Sequence, residues 1–289
     1  MVRCGRPARA SIDLRRLIIR PGGIGDCVLS LPAIEQLRTD YTEVWVPSAV
    51  ASLIRGAEAR AIAATGIDLL GLPGVEPPAD LIARLRTFDS IVSWYGSNRA
   101  EFREKVRALG LPFRFLSALP ELGAKIHAAD FFLKQAGGDG RAVPRIETES
   151  RTSGDFAVIH PFSGSTKKNW PLERFRELAA RLALPVRWCA GPEEQLEGAV
   201  RFENLYDLAR WLASARLYIG NDSGITHLAA AVGVPVVAIF GPTDPAVWAP
   251  RGERVRVVSG ELEEITPGNI LAAVRQLNPG VCGNEENSA

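Results

Sequence analysis

Twice in this chain of 289 residues a short apolar run is cut by a glycine turn and followed by apolar residues at helical spacing. In the first instance Leu17-Ile18-Ile19 meets Arg20-Pro21-Gly22-Gly23, after which Val28, Leu29, Leu31, Ile34 and Leu37 recur on one helical face. In the second, the strand Leu217-Tyr218-Ile219 meets Gly220-Asn221-Asp222-Ser223-Gly224 and then the small-residue stretch His227-Leu228-Ala229-Ala230-Ala231. A strand without polar alternation has to be covered on both faces, and a strand, turn and helix in that order open a doubly wound α/β unit. The chain is therefore expected to hold parallel sheets covered by helices, with ligands bound at the loops beyond the strands' carboxyl ends.

The alternation continues in two blocks. The first holds strands at Val44 to Val46 and Ile91 to Trp94, a helix from Ala49 to Gly56 and another around Lys125 to Ala136, ending at Gly137-Gly138-Asp139-Gly140. Arg141 to Gly154 is polar, contains Pro144 and has no sustained apolar period, so it reads as a linker. The second block has strands at Phe156 to His160, Val186 to Ala190, Leu217 to Ile219 and Val236 to Phe240. Its helices are Leu172 to Leu182, Leu205 to Ala213 and His227 to Val232. Two lobes follow, residues 1–148 and 149–289, the first preceded by a basic tail over residues 1–15.

Composition removes several function classes. Lys+Arg (34) and Asp+Glu (33) nearly cancel to a net charge of +1, whereas a nucleic-acid binder advertises a basic excess. Cys4, Cys27, Cys189 and Cys282 are far apart and form no C-x-x-C pair, which fits a reducing compartment and neither a zinc site nor a disulfide framework. No apolar stretch is long enough to span a bilayer. The first twenty residues carry Arg3, Arg6, Arg9, Arg15, Arg16 and Arg20 against Asp13 alone, without the apolar region of a signal peptide. They read as a solvated tail or as an arm that touches anionic lipid.

Four loops have chemistry in them. In Pro21-Gly22-Gly23-Ile24-Gly25-Asp26, Gly23 and Gly25 let the backbone approach a ligand, and Asp26 stands at a helix start. Its carboxylate suits a helix cap and a general base toward a sugar hydroxyl equally well. Val28 stands where a dinucleotide fingerprint needs its third glycine, which weakens a dehydrogenase reading. Ser163 to Pro171 follows a strand, offers backbone amides around Ser165, and holds Lys167 and Lys168, two of only five lysines in the chain. Its Ser165-x-x-Lys168 spacing matches a penicillin-binding pattern, but no K-T-G accompanies it. Pro171 is expected at the first helical position.

The third loop is the most specific. Asp222, Ser223, Gly224, Thr226 and His227 lie where a strand gives way to a helix. Backbone N–H groups and the hydroxyls of Ser223 and Thr226 would there meet a diphosphate at the positive end of the helix dipole. The spacing is not that of a nucleophile elbow, so no serine hydrolase follows. In the fourth loop Glu193 or Glu194, after the strand ending at Ala190, suits a grip on ribose hydroxyls, and Gly241 to Pro245 could line the same cleft. His127 and His160 have no partners at metal-ligand spacing, so no metal site is expected.

Three stretches together resemble glycosyltransferase family nine, the ADP-heptose:lipopolysaccharide heptosyltransferases: Leu17 to Pro32 (LIIRPGGIGDCVLSLP), Lys168 to Pro171 (KNWP) and Ile219 to Pro250 (IGNDSGITHLAAAVGVPVVAIFGPTDPAVWAP). The resemblance implies a GT-B architecture, two Rossmann-like lobes facing a central cleft. It implies inverting, metal-independent transfer of a sugar, a heptose, from an ADP-sugar to a lipopolysaccharide or related envelope glycan. Under it Asp26 is the catalytic base, Lys168 meets the phosphates, Asp222 orients the donor sugar, Ser223, Gly224 and His227 hold the diphosphate, and Glu193 or Glu194 the ribose. The enzyme would work in the cytoplasm, peripherally at the inner face of the inner membrane. Ser223 stands where the family more often has threonine, which keeps the hydroxyl, and the first lobe is shorter than in the lipopolysaccharide enzymes. A same-fold epimerase or hydrolase, and a non-catalytic nucleotide-sugar binding module, are the alternatives.

Overall fold

A computed structural model describes residues 14–121, 123–149 and 154–278. The tail arginines Arg3, Arg6 and Arg9, and Cys4 and Cys282, lie outside the described residues. The first half runs β1 (Arg15–Ile19), α1 (Ile24–Leu29), α2 (Leu31–Gln36), β2 (Tyr41–Val46), β3 (Glu58–Ala61), α3 (Ala79–Leu85), β4 (Ser90–Ser93), α4 (Ala100–Ala108), β5 (Phe113–Phe115) and α5 (Ala128–Gln135). The second runs β6 (Ala157–His160), α6 (Leu172–Ala180), β7 (Val186–Trp188), α7 (Leu205–Ala213), β8 (Leu217–Asn221), α8 (Gly224–Ala231), β9 (Val236–Phe240), α9 (Pro245–Trp248), β10 (Val255–Ser259) and α10 (Pro267–Leu277).

Each half forms a wholly parallel five-stranded sheet, in the orders β3-β2-β1-β4-β5 and β10-β9-β8-β6-β7. The strand order reverses direction between β1 and β4 in one sheet and between β6 and β8 in the other. Loops leaving adjacent strands part to opposite faces there, which opens a crevice for a ligand. The arrangement is GT-B: two Rossmann-like α/β lobes.

Side-chain alternation explains the layers. Leu17, Ile18 and Ile19 are all fully buried, yet Ile18 joins the core between the lobes while Leu17 and Ile19 join the outer core of the first lobe. Val158 in β6 likewise faces inward, with Ala157 and Ile159 facing the outer core of the second lobe. The inner core is continuous, running from α1, α2 and α5 of the first lobe to α7 and α8 of the second. It is reinforced by an Asp130–Arg251 ion pair, by a hydrogen bond between His127 Nε2 and the Ala249 carbonyl (2.9 Å), and by Ile146 N–H donating to Ala231 O (3.0 Å).

Local departures from expectation have local causes. The helix expected to continue from Val28 to Leu37 is two, broken at Ser30, because Pro32 has no N–H to give the carbonyl four residues back. The helix expected from Ala49 to Gly56 is a 3₁₀ helix over Ser48–Leu53, in which only Val50 and Leu53 are buried, three residues apart as that geometry stacks them. Pro171 precedes its helix as the capping residue and Leu172 begins it. Arg15 stacks on Tyr41 and Arg16 Nη1 donates to Leu37 O (2.7 Å), so these arginines belong to the sheet and not to a tail.

The two lobes meet most closely where α1 packs on α8, and the contact is made by glycines. A Cβ on Gly224 would fall 2.7 Å from Ile24 Cβ and 3.0 Å from the Gly25 nitrogen; one on Gly25 would fall 3.0 Å from His227 Cδ2. Gly224→Ala therefore drives a methyl against the Ile24 side chain and the Gly25 backbone, neither of which can swing aside. It is expected to lower unfolding stability by about 1–3 kcal/mol in urea titrations, and a midpoint equal to wild type would show that this contact does not set the spacing of the lobes.

Candidate active site

A cavity of about 720 Å³ lies between the lobes, walled by Gly23, Ile24, Gly25 and Asp26 from one side and by Ser165, Lys168, Asp222, Ser223, Gly224 and His227 from the other. Both walls are loops beyond strand carboxyl ends.

On the first wall the chain leaves β1 through Gly22 at φ 116°, a backbone that a side-chain-bearing residue rarely adopts. Asp26 is the third residue of α1, and Gly23, not Asp26, occupies the capping position. The carboxylate folds back over the turn, where Oδ2 accepts the Gly23 N–H (2.9 Å), and it stays at the cavity wall. Beneath it lies Arg20, 1% exposed. Its Nε donates to Ser30 Oγ (2.6 Å), Nη1 to Pro21 O (3.1 Å) and Nη2 to Asp26 O (3.3 Å), and Ser30 Oγ donates to the same Asp26 carbonyl (2.7 Å). The guanidinium lies over the Phe132 ring, 4.6 Å from its centroid. Burial pulls its pKa down, and the neighbouring Cys27 and Asp26 act against that pull. Nothing in the spacing of Arg20 distinguishes it from the tail arginines, so sequence reasoning missed its role as a brace for the Asp26 turn. Cys27 and Cys189 are buried free thiols, each pushed up to about 12 by burial, so neither is a ready nucleophile.

On the second wall Lys168 ends a 3₁₀ turn and its Nζ donates to Asp222 Oδ2 at 2.7 Å. The lysine is about one-third exposed and the aspartate buried. These residues leave β6 and β8, the pair that flanks the reversal in strand order, which is why residues 54 positions apart meet. Asn221, fully buried, ties the loops together by accepting Trp170 N–H at Oδ1 (3.1 Å) and donating from Nδ2 to Pro161 O (2.7 Å). An asparagine inside an apolar strand end was the available signal for it.

Ser223 caps α8, its Oγ accepting the Thr226 N–H (3.3 Å). Ser223, Gly224 and Ile225 line the cavity, so the positive end of α8 faces it. Thr226 does not share this position. It is fully buried, its hydroxyl donates to Asn221 O (2.5 Å), and it braces the turn from behind. His227 is 6% exposed and burial lowers its pKa to about 4, against the opposing pull of Asp222. It is a neutral imidazole beside the helix start.

At the far end of the cavity Glu194 is present and Glu193 is not, being exposed outside the wall. Glu194 Oε2 accepts Gly191 N–H (2.6 Å) and meets His160 Nε2 (3.1 Å). Thr243 of the Gly241 to Pro245 turn also reaches the wall, as do Trp248 and the apolar Phe202, Leu205 and Leu208. Among the described residues no three His, Cys, Asp or Glu side chains gather as metal ligands, and no helix is long and apolar enough to cross a membrane.

A family model described as "Glycosyltransferase family 9 (heptosyltransferase)" matches residues 130–267. Lipopolysaccharide heptosyltransferase 1 of Escherichia coli (strain K12) is 30% identical over 141 residues, 44% of this chain and 44% of that protein, so the alignment spans under half of the curated relative's length. The structure of E. coli heptosyltransferase WaaC with ADP superimposes with a TM-score of 0.66 at 19% identity, covering 91% of this chain and 99% of that one. The E. coli ADP-heptose lps heptosyltransferase II structure gives 0.67 at 16% identity over 91% and 98%. The family model begins within α5 and covers most of the second lobe, whereas the rest of the first lobe is similar to these solved structures in fold. Residues 130–267 are thus similar in sequence to glycosyltransferase family 9, the heptosyltransferases, and the whole chain shares the fold of two solved heptosyltransferases.

Proposed function

We propose that this protein transfers a heptose from an ADP-sugar to a lipopolysaccharide or related cell-envelope glycan, by single displacement with inversion and without a metal ion. The observation that carries the reading is the placement of Asp26 on one wall of the cavity, opposite the Lys168–Asp222 pair and the N-terminus of α8 on the other. The likeness to heptosyltransferases, one of them solved with ADP, supports the choice of donor.

In this mechanism Asp26 accepts the proton of the acceptor hydroxyl as its oxygen attacks the anomeric carbon. The bond from that carbon to the diphosphate breaks on the opposite side, and negative charge grows on the leaving ADP. That charge develops at the start of α8, where oriented amides need no reorganisation to stabilise it. Lys168, held in reach by Asp222, can turn its ammonium from that carboxylate to the diphosphate, and this is the basis for proposing that no metal is required. Neutral His227 donates one N–H to the diphosphate, with the Ser223 hydroxyl and Gly224 amide beside it. Ser165 extends the phosphate-binding loop, Asp222 orients the donor sugar, Glu194 takes the ribose, and the apolar wall of Phe202, Leu205 and Leu208 covers the base. The first lobe would receive the acceptor from the inner face of the inner membrane, with the enzyme bound there peripherally.

Transfer is to be followed with ADP-heptose and heptose-free lipopolysaccharide, reading the product's anomeric configuration by NMR. Inversion with donor consumption that depends on acceptor is expected; full donor conversion in water alone would instead indicate a hydrolase or epimerase. Asp26→Asn is expected to reduce turnover by about 10²–10⁴-fold while ADP affinity, measured by calorimetric titration, changes less than about threefold. Near wild-type turnover in that variant would remove Asp26 as the base.

His227 also gives a pH dependence with a definite sign. Its pKa is lowered on folding, so its contribution to stability is present above the unfolded value of 6.5 and is lost as pH falls toward about 4. Burial lowers the pKa of His127 as well and acts in the same direction. Between pH 7.5 and pH 5, His227→Gln is expected to lose about 2 kcal/mol less unfolding stability than wild type. Equal losses in urea titrations at the two pH values would show that the folded ring titrates normally.

A further inference from the structure

Among the buried polar groups that the transfer mechanism leaves unused, His160 stands at the cavity and at the switch point of the second sheet. It is the last residue of β6, 3% exposed, and its ring lines the wall. Nε2 meets Glu194 Oε2 at 3.1 Å, whereas Nδ1 is buried without a hydrogen-bond partner. A buried ring nitrogen without a partner is tolerated far better as a bare lone pair than as an unmet N–H, so the ring proton belongs on Nε2 and is donated to the carboxylate.

The consequence is an asymmetric carboxylate. Oε2 receives two donors, His160 and the Gly191 N–H at 2.6 Å, while Oε1 has no partner among the described residues. The backbone that carries Glu194 is fixed independently, since Arg201 Nη2 donates to the carbonyls of Glu194 (2.8 Å) and Leu196 (3.0 Å). His160 and Gly191 together therefore fix the side chain's rotation and not the loop. Two hydrogen bonds to its charged form hold the Glu194 carboxyl below the usual carboxylate range despite its partial burial. The neighbouring Cys189 thiol is uncharged at neutral pH and does not compete for these donors.

We infer that His160 is a positioning residue that makes the site select ribonucleotides: by holding Glu194 Oε2, it leaves Oε1 aimed to accept from the vicinal hydroxyls of a ribose. This rests on the ADP-sugar reading above. Without the imidazole, Glu194 keeps only the Gly191 contact and turns, and the cavity no longer distinguishes a ribose from a deoxyribose.

Two substitutions of similar polarity separate positioning from general packing. Glutamine at this place can put an amide N–H where Nε2 stands, and asparagine can reach only to the position of Nδ1. ADP and 2′-deoxy-ADP are to be titrated calorimetrically into the wild type, His160→Gln, His160→Asn and Glu194→Gln. Wild type is expected to favour ADP roughly tenfold or more, as one hydrogen bond to a charged group predicts. His160→Asn and Glu194→Gln should lose most of that preference by weakening ADP while changing 2′-deoxy-ADP less than about threefold, and His160→Gln should regain it. Equal weakening of both nucleotides in His160→Asn, or a preference left intact, would overturn the inference while leaving the donor reading in place. A wild-type protein that binds no ADP would overturn both.

Discussion

Where α1 and α8 meet, the nitrogen of Gly25 lies 3.0 Å from where a side chain on Gly224 would begin. Two helices from different lobes can point their N-termini into one cavity only if nothing projects between them, and here nothing does. The contact fixes the distance between Asp26, one residue past Gly25, and the capping Ser223, one residue before Gly224. Much of the rest supports that meeting: the continuous apolar core beneath it, the Asp130–Arg251 pair beside it, and the strand-order reversals that open each sheet toward it.

The electrostatics of the cavity follow a common pattern, in which buried charge is either paired or suppressed. Lys168 and Asp222 neutralise one another, and His227 is kept uncharged by burial. Arg20 is the exception, a buried guanidinium satisfied by a serine, two carbonyls and two aromatic rings, with no carboxylate bound directly to it among the described residues. Its position under the Asp26 turn holds the backbone that carries the proposed base, through the Asp26 carbonyl that Arg20 and Ser30 share. A ligand diphosphate would then enter a cavity in which Lys168 is the one lysine or arginine at the wall among the described residues.

The strands and turns that carry this site were legible in the sequence because their signals are local. Leu17 to Ile19 and Val236 to Phe240 are short apolar runs ended by glycine, and Asp222 to His227 concentrates small and polar residues at a strand-to-helix junction. What was illegible depended on contacts distant in sequence or on weak patterns. β10 alternates at a sheet edge, β5 is three residues long, and α3 and α4 follow loops without a clear apolar period. Arg20 reads as one arginine among many until Trp94, the residue after β4, and Phe132 of α5 are brought to it. Thr226 and Ser223 look equivalent as hydroxyls, and only the turn geometry sends one inward to Asn221 and leaves the other at the wall. The choice between Glu193 and Glu194 likewise needed His160, more than thirty residues away, to be in place.

Two helix N-termini face the cavity, and either could in principle receive a diphosphate; the proposed chemistry requires it to be α8, since Asp26 occupies the start of α1. A crystal structure of the complex with ADP decides between them most directly. The arrangement described here predicts the β-phosphate within hydrogen-bond distance of the Ser223 hydroxyl, the Gly224 amide and His227, with Lys168 Nζ turned toward it and Asp26 across the gap. A diphosphate seated instead on the Gly22–Gly25 turn, displacing the Asp26 carboxylate, would contradict the assignment of donor and acceptor sides and with it the role of Asp26 as base.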